Sequence, residues 1–145
     1  MTKKSKEYFK TLENIDYKFA FPNDVSERER GLIAKALSLC EDSVIDDITQ
    51  NVWFVSPNSG YIAFQVNILD LMGKWNSMIF LNSLNNMPEK KAIRIILHEI
   101  GHHVLKHTSP ILMKNVNYAN MVQVGKKQEK EADAFAKERM KKKLS

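Results

Sequence analysis

A single cysteine, Cys40, is all the thiol chemistry this chain carries. It can close no intrachain disulfide and supply no cysteine-ligated zinc cluster, a usage that fits a reducing compartment. No apolar run approaches the ~20 residues needed to span a bilayer. The opening stretch from Met1 to Glu7 has no apolar core behind it, so it does not read as a signal peptide. The expectation is a cytoplasmic protein with no membrane attachment. There is also no basic stripe interleaved with aromatics. The net charge is +5, but much of it sits in Lys3, Lys4 and Lys6 and in Lys141, Lys142 and Lys143, where lysine runs are solvated tails. Direct nucleic-acid binding is therefore not expected.

What remains is the composition of an ordinary soluble domain, 43% hydrophobic and 27% charged over 145 residues. That is enough for one domain, 1–145, with a real core. Residues 1–13 are polar and read as a flexible lead-in, and residues 14–23 as an extended segment laying aromatics on the domain. Ser26 and Glu29 have the spacing of a capping box. Behind them Leu32, Ile33, Ala36, Leu37 and Cys40 make one apolar helical face, so a helix should run to about Cys40. Cys40 reads as a small core residue. Residues 41–50, with Glu41, Asp42, Asp46 and Asp47, read as a second short helix presenting an acidic surface. Residues 51–55 and 61–66 are rich in aromatic and β-branched residues and flank the turn chemistry of Pro57 to Gly60, which predicts a hairpin. Residues 74–82 read as a third strand. The fold expected is α+β: an N-terminal helix, a small, mostly antiparallel sheet of three or more strands, and two helices facing each other.

The chemistry is concentrated in one helical stretch. Pro88 and Glu89 suit a first helical turn, and the helix should reach about Lys106. Ala92, Ile93, Ile96, Leu97, Ile100 and Val104 give it a broad apolar band. Inside that band His98, Glu99 and His102 form a His-Glu-x-x-His pattern. Histidines four apart lie one turn above each other on one helical face, so both imidazoles can reach a single metal ion. Glu99 stands at the same edge, placed to take a proton from a water that a zinc ion has acidified to a pKa of about 7. Burying such groups would be costly without a metal or strong partners. Gly101 costs about 1 kcal/mol relative to alanine inside a helix, which predicts a packing reason such as another backbone passing close by. His103 reads as surface or outer-shell, and His107 as exposed.

A third ligand has two candidates. No histidine stands six residues after His102; that position is Thr108. The carboxylates of Glu129 and Glu131 lie on a last helix expected from about Lys127 to Lys143. They are rotated about 200° from each other around that helix, so only one of them should bind. Glu129, Ala132, Asp133 and Ala136 share a face. The connection 107–126 is long for a compact domain and reads either as a wall of a substrate cleft or as a short packed helix.

The residues Ile96 to His103, followed by Glu129, Glu131, Ala132, Asp133, Phe135 and Ala136, resemble the gluzincin metallopeptidases. Within them they most resemble the ImmA/IrrE family, over roughly residues 77–140. The resemblance implies a minimal zincin-like domain with one zinc ion per chain. It implies His98, His102 and Glu129 as the metal ligands and Glu99 as general base and acid. It also implies Asp133 as the acid that accepts a hydrogen bond from a ligand imidazole. By the same resemblance an extended substrate pairs with a sheet edge, with Ala63 and Phe64 nearest the metal. The implied activity is site-specific hydrolysis of a protein or peptide, such as a helix-turn-helix transcriptional repressor. Many members of the family continue past this helix, so a minimal catalytic form is expected and the family's regulatory roles do not carry over directly. The competing reading is a zinc-binding regulatory module with little or no turnover, such as a toxin–antitoxin or anti-repressor partner. The intact Glu99 favours the enzyme, since a purely structural site needs no base.

Overall fold

The computed structural model describes residues 26–55, 63–69, 75–81, 84–107 and 118–142. In chain order these are α1 (Glu27–Ser38), α2 (Asp42–Asn51), β1 (Val52–Val55), β2 (Ala63–Leu69), β3 (Trp75–Leu81), a 3-10 turn (Leu84–Asn86), α3 (Glu89–Val104) and α4 (Tyr118–Met140). The lead-in 1–13, the aromatic segment 14–23 and the turn 57–60 lie outside the described residues. Among the described residues no helix is long and apolar enough to cross a membrane.

The fold class expected from the sequence is corrected. Helix dominates the interpretable body of the domain, in four helices, and a sheet layer does not define it. These helices hold 12, 10, 16 and 23 residues, against 4, 7 and 7 in the extended segments. The expected hairpin fails as well. The strand order is β1-β3-β2, so β1 and β2 never pair. β1 runs parallel to β3, with Val52 opposite Ser77 and Phe54 opposite Ile79, while β2 runs antiparallel to it. Turn chemistry at Pro57 to Gly60 suggested a two-strand return, but a later strand of similar composition took the central place. The alternation is still visible: Val52, Phe54, Ser77, Ile79 and Leu81 are buried, every second residue, as one face of a pleat requires.

The capping box forms in full. The Ser26 hydroxyl accepts from the Glu29 amide (3.1 Å), and the Glu29 carboxylate accepts from the Ser26 amide (3.0 Å). This fixes where α1 starts. One residue into the helix, Arg28 donates to the carbonyls of Leu84 (2.6 Å) and Met87 (2.7 Å). Lys35, further along, pairs with Glu89. Helix α1 therefore holds the entry to α3. The acidic stretch 41–50 is more than a surface: Glu41 takes two hydrogen bonds from Arg139 of α4, and the Arg139 guanidinium lies 3.5 Å over the Phe135 ring.

Helix α3 is the centre of the molecule. Ala92, Ile93, Ile96, Leu97 and Ile100 are fully buried between α1, α4 and the β2–β3 pair. Cys40 is buried in the same core, and burial pushes its thiol up to about 12, so it stays protonated and inert. Helix α4 begins at Tyr118, nine residues before the sequence suggested. Gly125 is carried inside it, at a cost of about 1 kcal/mol of propensity relative to alanine. Residues 108–117 lie outside the described residues.

At Gly101, α3 packs tightly on Phe135 of α4. A Cβ placed there would meet the Cβ, Cγ and Cδ1 of Phe135 at 3.1 Å. The close approach is made by a side chain root rather than by backbone, and that root cannot swing away. Gly101→Leu is expected to cost about 3 kcal/mol, the upper end of the overpacking range, read as a lower denaturant midpoint. An unchanged midpoint would contradict this packing.

Candidate metal centre

His98 and His102 are brought together by α3, and Glu129 by α4, whose buried stripe of Ala132, Phe135 and Ala136 lies against α3. The His98 and His102 Nε2 atoms are 3.1 Å apart. One Glu129 oxygen lies 3.0 Å from His98 Nε2 and the other 3.0 Å from His102 Nε2. A tetrahedral ion with bonds of 2.0–2.1 Å would set its ligand atoms about 3.3 Å apart, so the spacing fits. These three residues form a group that could hold a metal ion.

His98 Nδ1–H donates to Asp133 Oδ1 at 2.8 Å, because a carboxylate can only accept. His102 is oriented by a longer chain. Its Nδ1 lies 2.9 Å from His107 Nδ1, and His107 Nε2 lies 3.3 Å from Glu131 Oε2. Glu131 accepts the Nε2–H of His107, and the facing Nδ1 atoms of His107 and His102 share one hydrogen bond. Burial, opposed by Glu129, holds His102 below the ordinary imidazole range, so it stays neutral. The inner ring nitrogens of both histidines and the Glu129 carboxylate thus converge on one point, while Asp133 and His107 hold the outer ring nitrogens.

Glu131 therefore serves the site without joining the three-residue group. It and Glu129 flank the buried stripe of α4 from opposite sides, as their roughly 200° separation demands. His107, expected to be exposed, is 7% exposed. Helix α3 ends in a left-handed turn at Lys106 (φ 56°). The His107 amide donates to the His102 carbonyl (2.9 Å) and the Lys106 amide to the His103 carbonyl (3.0 Å), the double closure of a Schellman motif. That turn folds His107 back beside His102. A glycine at 106 would have signalled it in the sequence; lysine hid it. His107→Ala is expected to weaken metal affinity by about 10–100-fold, measured by competition with a chromophoric chelator. Unchanged affinity would remove His107 from this role.

His103, expected at the surface or in the outer shell, faces away from the cluster and is 1% exposed. Its Nε2 lies 3.0 Å from Asp47 Oδ2 and its Nδ1 2.5 Å from Ser77 Oγ. Burial holds it below the usual range even beside Asp47. It joins α3 to α2 and β3, so the acidic stretch supplies a partner that composition alone did not reveal. Glu99 is 7% exposed. Burial pushes its carboxyl up to about 7, with His98 opposing and Glu129 adding to the shift. Ala63 and Phe64 lie at the start of β2, an outer strand of the three, opposite Leu81 and Phe80 of β3; α3 packs against β2.

Comparison with known proteins adds no relative. No family model, no curated protein and no solved structure matches the chain.

Proposed function

We propose that this chain is a zinc-dependent metallopeptidase, and that its substrate is a peptide segment of a regulatory protein such as a helix-turn-helix repressor. The observation that carries the reading is the pairing of a three-residue cation site with a buried carboxyl, Glu99, poised near neutrality. A site built only to hold an ion needs no such acid–base group. The likeness to the ImmA/IrrE motifs supports the same choice.

His98, His102 and Glu129 would hold the zinc, a set of two imidazoles and one carboxylate of the kind catalytic sites use with one position left open. When bound, zinc supplies a Lewis acid for the scissile carbonyl and an acidified water. Glu99 takes the proton of the attacking water and hands it to the departing amine. A general base works best with a pKa near the working pH, and burial brings Glu99 there. Asp133 fixes the ring of His98, and His107 with Glu131 fixes that of His102. Among Ala63, Phe64 and their neighbours on β2, an outer strand offers backbone groups for an extended substrate to pair with.

The test is digestion of a proteome-derived peptide library by the zinc-loaded protein, read by mass spectrometry. Cleavage that requires zinc and disappears in His98→Ala is expected. A protein that holds one zinc per chain and cuts nothing would leave the regulatory-module reading in its place.

A further inference from the structure

A second feature of the α3–α4 pair lies beyond the His98–His102–Glu129 group. The helices run antiparallel, since His102 meets Glu129 while His98 meets Asp133, four residues later on α4. One turn further in the same direction come Arg94 on α3 and Lys137 on α4, and beyond them Lys90, Lys91 and Met140. These residues, with Pro88, line a cleft of about 360 Å³, within the size range of ligand pockets. Its lining is mostly apolar, from Pro88, Met140 and the aliphatic stems of the basic residues, whose charged ends stand around it. The other four lining residues are all cationic and exposed, and among the described residues no carboxylate lines it.

We propose that this cleft binds acidic side chains of the peptide being cut, making the enzyme selective for substrates with aspartate or glutamate near the scissile bond. The inference rests on the hydrolase reading for its role as a substrate subsite. Spacing sets the positions. Arg94 lies four residues before His98, about 6 Å along the helix axis, and Lys90 about 12 Å. An extended peptide advances about 3.3 Å per residue, so the acidic residues fall roughly two to four positions from the bond broken. The apolar lining adds a preference for a hydrophobic neighbour among those acids. Four cations of one sign without an acidic partner in the lining also disfavour a basic peptide.

The experiment uses the full chain and two fluorescein-labelled synthetic peptides of equal length and identical apolar spacing, one carrying Asp and Glu and one carrying Lys. Fluorescence anisotropy measures each against wild type and the double variant Arg94→Glu/Lys137→Glu. Zinc content is measured on both proteins and is expected to be equal. The acidic peptide is expected to bind wild type, with affinity falling as salt rises, and to lose about 10-fold or more in the double variant. Equal binding of the two peptides, or binding untouched by the charge reversal, would overturn the inference. The library digest supplies the second arm. Cleavage without enrichment of acids two to four positions from the cut overturns the inference and leaves the hydrolase standing. Acid-selective binding with no cleavage by the zinc-loaded protein overturns the hydrolase reading, and with it the cleft's role in a substrate subsite.

Discussion

Glu99→Gln will lower peptide hydrolysis by about 10²–10⁴-fold, the usual contribution of a positioned acid–base group, while one metal per chain is retained. Glutamine fills the same space but cannot take a proton. The two readouts separate the base from the ligands, because loss of a ligand would remove both metal and activity. The same variant has an opposite effect on stability in the metal-free protein. Burial raises the Glu99 carboxyl from 4.5 to about 7. The native state therefore keeps a proton between those values that the unfolded chain releases. The stability this group supplies is fully present below about pH 4.5 and is lost as pH rises through about 7. A shift of this size corresponds to about 3 kcal/mol. Metal-free Glu99→Gln should thus be more stable than metal-free wild type at pH 8, with the advantage shrinking toward pH 5. Denaturant titration at the two pH values checks it. A variant that is weaker at pH 8 and equal at pH 5 would show that Glu99 is not held protonated by burial.

The second large effect is at Glu129. Glu129→Ala leaves two imidazoles and no anion at the site, and its metal affinity should fall well beyond the ~10–100-fold typical of losing an outer partner. Glu131→Ala, which removes only the anchor of His107, should fall within that smaller range. Elemental analysis of protein purified without a histidine tag, followed by chelator competition, ranks wild type, Glu131→Ala and Glu129→Ala. Equal losses would mean that both carboxylates contact the ion, and the reverse order would make Glu131 the ligand. The first outcome conflicts with the two helix faces on which the acids stand, and the second with the 3.0 Å spacings of Glu129 to both histidines.

The helical parts of this chain were legible because helix signals are local. Ser26 and Glu29 announce α1, and the apolar period from Ala92 to Val104 announces α3. His98 and His102 could be placed on one face from their spacing alone. The strands were harder. Composition located the extended segments, yet which strand lies between the other two depends on contacts across the sheet, and the hairpin reading failed there. The start of α4 lies at Tyr118, ahead of the expected Lys127, because the helix runs through Gly125. The roles of Asp47, His103 and His107 were hidden as the strand order was. Their meaning comes from partners 56, 26 and 24 residues away in the chain, and no periodicity encodes a partner at such distance.

The apolar face of α3 bears on how the proposed zinc ion would be taken up. Ile93, Ile96, Leu97 and Ile100 are sealed in the core with no help from the cluster, and His103 bolts the far side of the helix to Asp47 and Ser77. We infer that this core holds the scaffold without an ion, unlike a zinc finger, whose folding is driven by its metal. On the proposed zinc reading, a chelator is then expected to leave the chain folded, and the supply of free zinc would set how much of it is active.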